Sequence, residues 1–301
     1  MREALENAIN NALCIEFWLP DVTTGMDKTS ITTIKDMCLK NNDIEELSKI
    51  IYNGLVEYAL NEYKIDYQNL ELEQMKVLSR RIKYDPEATD LTKSKYGFYG
   101  EILLDLILRT FVNTKVLLAR GYLYSPIEDA EVKGFDAFHL LEYDNHVELW
   151  LGEAKFYQNY TQPIQDVLKK ISYALSDKYV HKNFLAIMDY EDMFSHSNSR
   201  LAKIFSRWEQ NPKINIAEEI ANENMIITYP IMIAYQATGN GTYEDAVRKC
   251  VEYIETQIKK INIHIAPSFT YKIFFIFLPV NDVKTVKERV YRWIDSKEPL
   301  I

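Results

Sequence analysis

The chain has 301 residues, of which 47% are hydrophobic and 26% are charged, and its formal net charge is −9. This composition is ordinary for a folded globular protein, and the length suits one elaborated domain or two. The negative charge argues against a protein that simply coats nucleic acid. The three cysteines lack CxxC or zinc-ligand spacing, which favours a reducing compartment; they are Cys14, Cys38 and Cys250.

The sequence carries no signal for secretion or for a membrane span. Acidic Glu3 and Glu6 lie near the N-terminus in place of a basic, apolar leader, so no signal peptide is predicted. The longest apolar run, residues 273–280, is far too short to span a bilayer. We therefore expect a soluble cytoplasmic protein.

The N-terminal region, residues 1–90, is predicted to mix strands and helices. A short strand ends at Pro20, and a polar loop covers residues 21–30. Pro86 ends the last helix of this region because proline disfavours a helical residue before it. The predicted elements are a strand at 14–20, a helix at 43–63 and a helix at 70–82, and the polar segment 86–95 is the candidate domain boundary.

The remainder of the chain, residues 91–301, alternates between helical and strand-like patterns. Residues 97–190 have the order helix, strand, strand, strand, helix, strand, and a C-terminal βαβα extension follows. Such alternation favours an α/β fold. The predicted elements are helices at 97–112, 163–176, 243–261 and 282–293, a helix-like stretch at 192–212, strands at 116–124, 183–190, 225–235 and 271–280, and a β-hairpin at 133–155.

The β-hairpin at 133–155 carries the clearest chemical signal. Asp144-Asn145 is its natural tip, because Asp and Asn tolerate the positive φ that a tight turn requires. Centring the turn there places Asp136 opposite Glu153 on one face of the sheet, with Cβ atoms about 4.5–5.5 Å apart. Like charges in this arrangement are destabilising, and a divalent cation between them would reverse that effect.

An ammonium and a further carboxylate are predicted beside this pair. Lys155 lies two residues beyond Glu153, so strand alternation places it on the same face. We expect it near Gly134, whose missing side chain leaves room for a substrate. Glu101 lies on the helix at 97–112, beside the apolar stripe that faces the core. Three carboxylates and one ammonium therefore converge.

This cluster suits a magnesium ion, which prefers oxygen ligands and is often held by one or two carboxylates plus a phosphate. Asp136 and Glu153 would hold the ion, and Glu101 would complete the carboxylate cluster or orient metal-bound water. Lys155 would orient or deprotonate the attacking water and shield the growing charge of the phosphate. The alternative is a surface ion pair between Glu153 and Lys155 without a catalytic role.

Other catalytic classes lack their motifs. The sequence has no HExxH, GxSxG or Walker motif, and His139 falls on the hairpin face opposite Asp136, which indicates a structural role. Paired carboxylates also serve glycoside hydrolases, but that reaction leaves Lys155 without a role. A basic cluster follows the acid-rich segment 43–73 and forms either a solvated face or a phosphate contact; it comprises Lys76, Arg80, Arg81, Lys83, Lys93 and Lys95.

The four candidate residues resemble the motif of the PD-(D/E)XK nuclease superfamily, with Glu on a helix, Asp on one strand and Glu-x-Lys on the next. Three segments within residues 97–157 are similar, more narrowly, to the nuclease subunit (HamA) of the bacterial Hachiman anti-phage defence system; they are GFYGEILL, KGFDAFHLLE and LWLGEAKFY. Phe135 stands where the superfamily has its proline. The Gln-x-x-x-Tyr signature of RecB-like exonucleases has no clear counterpart after Lys155, so an exonuclease mode is unsupported.

The resemblance implies a PD-(D/E)XK restriction-endonuclease-like core, a mixed central sheet flanked by helices, with an N-terminal α+β extension. It further implies a Mg²⁺-dependent deoxyribonuclease, with Mn²⁺ able to substitute, whose catalytic positions are Glu101, Asp136, Glu153 and Lys155. DNA is the implied substrate, and a superfamily 2 helicase subunit (HamB) is the implied partner in the bacterial cytoplasm. The alternative is a non-catalytic nuclease-fold subunit that binds the helicase or DNA.

Restraint of the nuclease is expected, because an unregulated cytoplasmic DNase would damage its own host. The net charge of −9 weakens unaided capture of DNA, since phosphate neutralisation supplies most non-specific affinity. The acidic segment 43–73 would compete with DNA for the basic cluster if the two lie together. We therefore hypothesise that residues 1–90 dock the helicase and keep the site unproductive until DNA is engaged.

Overall fold

A computed structural model describes residues 1–20, 28, 35–190, 200–211, 213–237 and 241–301. Within this part of the chain, helices flank a large mixed sheet, which confirms the predicted α/β class. The helices are α1 (Glu3–Ala12), α2 (Ile44–Asn53), α3 (Leu55–Ala59), α4 (Leu70–Arg80), α5 (Asp90–Lys93), α6 (Phe98–Phe111), α7 (Thr161–Ala174), α8 (Asp177–Met188), α9 (Arg200–Glu209), α10 (Ile216–Asn222), α11 (Tyr243–Ile258) and α12 (Val283–Ser296). The strands are β1 (Leu13–Leu19), β2 (Asp36–Asn41), β3 (Lys115–Val116), β4 (Tyr124–Ser125), β5 (Ala130–Glu131), β6 (Ala137–Glu142), β7 (Val147–Tyr157), β8 (Met225–Gln236) and β9 (Thr270–Val280).

The main sheet of the described residues has seven strands in the order β1-β2-β9-β8-β7-β6-β3. Strands β2, β9, β8 and β7 are mutually parallel, whereas β1, β6 and β3 each run antiparallel to their neighbours. Strands β8 and β9 are buried along nearly their whole length. Their continuous apolar runs are typical of parallel strands covered on both faces by helices. Strands β4 and β5 form a separate two-stranded ribbon.

Local sequence signals explain where several helices begin and end. Asp43 caps α2 by accepting from two backbone N–H groups of the first turn, and Asp282 caps α12 by accepting from the Thr285 backbone N–H. Thr242 caps α11 and forms a capping box with Asp245. Gly54 interrupts the predicted helix 43–63 and separates α2 from α3, because glycine weakens a helix interior.

Two predicted strands are wrong. Residues 183–190 lie largely in helix α8, whose buried Val180, Phe184 and Ile187 follow helical spacing after a Ser176 cap. Residues 116–124 form little strand, since the segment turns into a 3₁₀ helix, Arg120–Leu123. Short apolar runs have no periodicity that separates a strand from a buried helical turn, which is the physical origin of both errors.

The N-terminal residues contribute directly to the main sheet. Strand β2, which the sequence did not indicate, pairs in parallel with β9 near the C-terminus. Apolar side chains from α1 to α12 belong to one continuous buried cluster. Division into an N-terminal region of residues 1–90 and a nuclease domain of residues 91–301 remains a prediction about function, since the two share a sheet and a core.

Some predicted elements lie partly outside the described residues. Of the polar loop 21–30 the structure describes Lys28 alone, which forms a buried ion pair with Asp36 at 2.7 Å. Of the helix-like stretch 192–212, residues 200–209 are helical and form α9. No helix in the described part of the chain combines the length and apolar character needed to cross a bilayer.

Candidate active site

The hairpin formed by β6 and β7 has the register that the sequence predicts. Ala137 pairs with Gly152, and the pairs that follow continue the alignment in which Asp136 faces Glu153. Asp136 lies one residue before β6, and its backbone N–H donates to Gly152 O at 2.8 Å. Its Oδ2 atom accepts from the Ala154 backbone N–H at 2.8 Å. Backbone contacts to β7 therefore fix the Asp136 carboxylate at the open end of the hairpin.

Glu153 and Lys155 form a salt bridge on β7 beside Asp136. Burial disfavours the charged form of Lys155, but the Glu153 and Asp136 carboxylates outweigh it and raise the pKa of the ammonium. The pKa of Asp136 is raised by burial and by the charge of Glu153. The two carboxylates and the Lys155 ammonium thus interact strongly, as expected from strand alternation.

A cavity of about 710 Å³ opens between the hairpin end and helices α7 and α8. Asp136 and Glu153 lie on its sheet side, together with Tyr229. Lysine side chains from three different segments also line it and are exposed to solvent; they are Lys133, Lys170 and Lys182. The cavity therefore combines a carboxylate pair with surrounding positive charge, as a site for a polyanion requires.

Glu101 reaches this region from the first turn of α6. Gly100 allows the close approach of α6 to β7, because a Cβ atom there would lie 3.1 Å from Phe156 Cβ. Glu101 is only 8% exposed, and its carboxylate accepts a hydrogen bond from the Tyr58 hydroxyl. Burial, followed by the charge of Asp136, raises the pKa of Glu101 to about 8. The buried carboxylate therefore retains its proton near neutral pH when no cation is bound.

Glu101→Gln should stabilise the metal-free protein at alkaline pH. The pKa of Glu101 is raised from 4.5 to about 8, so the folded state binds more protons than the unfolded state within that window. The free energy of unfolding must therefore fall as pH rises through the window. The variant lacks this penalty and should gain several kcal/mol above pH 8, about 5 kcal/mol at most, and nothing below pH 4.5. Urea unfolding with a chelator across this pH range measures the effect, and a pH-independent difference would contradict it.

Two residues at this site were not predicted from the sequence. Tyr58, from α3, is fully buried against Glu101, and nothing in the local sequence indicates that contact. Arg120 lines the cavity, and its Nε lies 3.7 Å from Glu101 Oε2. The sequence offers one signal for Arg120, which is a single arginine within an apolar run. Arginine is almost never buried without a partner, so this position indicates a specific contact.

Gly134 has a different role from the one predicted. A Cβ atom at this position would lie 2.6 Å from Asn183 Oδ1. Asn183 belongs to α8, although the sequence pattern predicts a strand at residues 183–190. Gly134 lines the cavity, but its missing side chain admits Asn183 rather than leaving a space for substrate.

Several other sequence candidates are structural. His139 is buried and bonds Asp105 at 2.9 Å and Thr114 at 2.8 Å, in agreement with its predicted structural role. In the predicted basic cluster, Lys93 forms a buried ion pair with Asp295 at 2.7 Å. Lys83 pairs with Asp129 at 2.9 Å. These two lysines are already paired within the protein, which weakens the interpretation of the cluster as a phosphate contact.

The donor chemistry of the site fits a hard divalent cation with some ligands from outside the protein. Across the described ranges, no three His, Cys, Asp or Glu side chains gather closely enough to hold a metal ion together. Magnesium needs fewer, because one or two carboxylates with water and substrate phosphate commonly complete its shell. Asp136 and Glu153 provide such a carboxylate pair within one cavity.

Comparison with known proteins identifies one family. The family model named HamA matches residues 12–294, which covers nearly the whole chain and both sides of the site. A search of curated proteins found no match. The segments that resemble HamA in the sequence lie on α6, β6 and β7 and carry Glu101, Asp136, Glu153 and Lys155. The chain therefore belongs to the HamA family, and with it to the Hachiman anti-phage defence system.

Proposed function

We propose that this protein is a metal-dependent DNA nuclease and the effector of its defence system. The observation that carries the proposal is the placement of Asp136 and Glu153 in one cavity, with Lys155 paired to Glu153. This arrangement resembles the PD-(D/E)XK motif, and burial together with the charge of Glu153 raises the pKa of Asp136, as is common at functional sites. The enclosing mixed sheet is consistent with a core of that superfamily.

Asp136 and Glu153 would hold Mg²⁺, or Mn²⁺ in its place, and Glu101, which lies too far from them to join as a third ligand, would help to orient the attacking water. When bound, the ion would supply Lewis-acid stabilisation of the phosphodiester and a more acidic water. The Ala154 N–H fixes one oxygen of Asp136, which leaves its other oxygen for a ligand. Tyr58 similarly orients Glu101. The protein thus positions its carboxylates before any substrate arrives.

Lys155 would act on the reacting water and phosphate. Its raised pKa keeps the ammonium charged at neutral pH, so it would orient the water and stabilise negative charge that develops on the phosphate. Its pairing with Glu153 holds it in place on the same strand. An ammonium that remains charged suits electrostatic stabilisation better than proton abstraction.

DNA is the substrate that the cavity suits best. Lys133, Lys170 and Lys182 surround the carboxylates and would neutralise backbone phosphates on either side of the scissile bond. The net charge of −9 makes capture of DNA dependent on this local positive charge. A cytoplasmic helicase subunit of the same system would deliver DNA to the cavity, and residues 1–90 would provide its docking surface.

A cleavage assay tests the proposal. The purified protein, alone and with its helicase partner and ATP, is incubated with plasmid and single-stranded DNA in Mg²⁺, in chelator, and with Mg²⁺ restored. We expect cleavage that the chelator abolishes and that restored metal recovers. DNA binding without cleavage by either preparation would overturn the nuclease proposal and support a non-catalytic subunit that binds DNA.

The metal requirement should depend on pH. Burial and the charge of Glu153 raise the pKa of Asp136, so the pair of Asp136 and Glu153 must lose a proton before it can bind a cation. Lowering the pH from about 8 to about 6 should therefore increase the Mg²⁺ concentration for half-maximal cleavage by about tenfold or more. Metal titrations of the cleavage rate at several pH values measure this shift. An unchanged half-maximal concentration would show that these carboxylates do not bind the ion.

A further inference from the structure

Arg120 carries hydrogen-bond donors that the folded protein does not use. Its Nη2 atom donates to Val132 O at 3.1 Å and lies 3.4 Å from Glu131 Oε2. Its Nε atom lies 3.7 Å from Glu101 Oε2, which is beyond hydrogen-bonding distance. In the described part of the chain, the buried Nε and Nη1 atoms have no acceptor. The residue is only 6% exposed, so a full solvent shell does not replace the missing partners.

Unpartnered donors on a buried guanidinium are costly, and they call for an acceptor. Arg109, an arginine on α6 whose side chain is largely buried, shows the ordinary arrangement. Its Nε donates to Asp105 Oδ2 at 2.9 Å and its Nη2 donates to Glu57 O at 2.7 Å. Both arginines neutralise nearby carboxylates, but Arg120 alone of these two lines the cavity that contains Asp136 and Glu153.

We propose that Arg120 forms a phosphate-binding subsite, in which its free N–H groups donate to a non-bridging oxygen of the nucleic-acid backbone. The planar guanidinium suits this ligand because it presents several donors in a fixed geometry. That the ligand is a DNA strand rests on the function proposed above. The subsite itself rests on the unpartnered donors and the location of Arg120.

The surrounding carboxylates keep the Arg120 guanidinium charged, which a phosphate-binding group requires. Glu101, Glu131 and Asp136 act on Arg120 and favour its charged form. Exposed Lys133 lies in the same cavity wall and adds positive charge at the entrance. A purely structural arginine would neutralise these carboxylates equally well with its donors paired to them. The two unused donors therefore distinguish a ligand-binding group from a charge-balancing one.

Binding in the absence of metal tests this inference separately from catalysis. Arg120→Lys and Arg120→Gln are compared with wild type for binding of a short, labelled single-stranded oligodeoxynucleotide in chelator, over a range of salt concentrations. Arg120→Lys keeps the positive charge but loses the donor geometry, and it should bind about tenfold or more weakly. Arg120→Gln should also reduce the slope of log Kd against log salt by about 0.7, the value for one lost single-strand phosphate contact. Thermal unfolding identifies which variants are folded. If Arg120→Gln does not fold, Arg120→Lys alone tests the subsite.

Arg109→Lys is the matched control, since it alters a buried arginine whose donors are already paired. It should bind the oligodeoxynucleotide as wild type does, even where it lowers the melting temperature. Wild-type affinity in folded Arg120→Lys would overturn the subsite and leave the nuclease proposal intact. If the wild type binds the oligodeoxynucleotide but never cleaves DNA, and Arg120→Lys binds more weakly, the subsite is supported and the nuclease proposal is overturned. A wild type that binds no oligodeoxynucleotide would overturn the subsite, and cleavage in the presence of the helicase partner would still decide the nuclease proposal.

Discussion

Lys155→Met should lower the rate of metal-dependent DNA cleavage by about 10²–10³-fold, the usual effect of losing one group that stabilises transition-state charge. Methionine preserves much of the side-chain volume and removes the ammonium. Glu153 then loses its ion-pair partner, and the phosphate loses the cation that would offset its developing charge. Single-turnover cleavage by the folded variant measures the effect.

The same strand offers a control for this substitution. Glu148 lies five residues before Glu153 on β7 and pairs with Lys272 at 2.6 Å. Lys272→Met therefore breaks a comparable ion pair, between Glu148 on β7 and Lys272 on β9. Neither residue lines the cavity. It should lower stability somewhat and leave the cleavage rate unchanged. Equal losses of cleavage in both variants would indicate general damage to the sheet and would contradict a catalytic role for Lys155.

Gly121→Ala should destabilise the protein by about 3 kcal/mol, at the upper end of ordinary overpacking costs. A Cβ atom at this position would lie 2.4 Å from Ala59 O and 2.9 Å from Ala59 Cα. Both are backbone atoms of α3, so no side-chain rotation relieves the contact. The neighbouring backbone is also fixed, since Ala119 N–H donates to Asn61 Oδ1 at 2.8 Å. The free energy of unfolding from urea titration measures the effect.

The site should respond to the same substitution. Gly121 follows Arg120, and the contact with α3 also holds Tyr58 near Glu101. Displacing this segment should reduce cleavage as well as stability. Gly241→Ala is the control, because its added Cβ would meet only the Asp245 side chain, at 3.1 Å, in the surroundings that the structure describes. A loss of stability in Gly121→Ala no larger than that in Gly241→Ala would contradict the predicted backbone clash.

The hairpin could be predicted in detail because one local feature determines it. The Asp144-Asn145 tip sets the register, and the pairing of Ala137 with Gly152 agrees with the alignment inferred from that tip. The long buried strands and the helices α6, α7, α11 and α12 were also predictable, since each has a long and strongly periodic pattern. Local periodicity and turn chemistry are thus enough to predict the residues on the sheet side of the site.

The helical side of the cavity could not be predicted in the same way. Residues 183–190 contain a short apolar run that fits a strand or a helix, and tertiary packing of α8 decides between them. Because a strand was predicted in place of this part of α8, Lys182 and Asn183 were not predicted to lie at the site. Arg120 was missed for a related reason, since its segment was assigned to a strand instead of a 3₁₀ helix.

Contacts between distant parts of the chain were beyond local sequence signals. Tyr58 meets Glu101 across more than forty residues, and β2 pairs with β9 from the opposite end of the chain. Neither contact leaves a trace in periodicity or turn composition. These contacts connect residues 1–90 to the site, so a partner bound there would have a direct structural route to Glu101.

We propose that Asp136 and Glu153 form a metal-dependent site that hydrolyses DNA. The most direct test is the Mg²⁺-dependent cleavage rate of wild type, Glu153→Gln and Glu148→Gln, measured side by side in the presence of the helicase partner and ATP. Both substitutions neutralise an ion-paired glutamate on β7, but of these two only Glu153 lines the cavity. We predict that Glu148→Gln cleaves as wild type does and that Glu153→Gln does not cleave. Full cleavage by folded Glu153→Gln would contradict the claim.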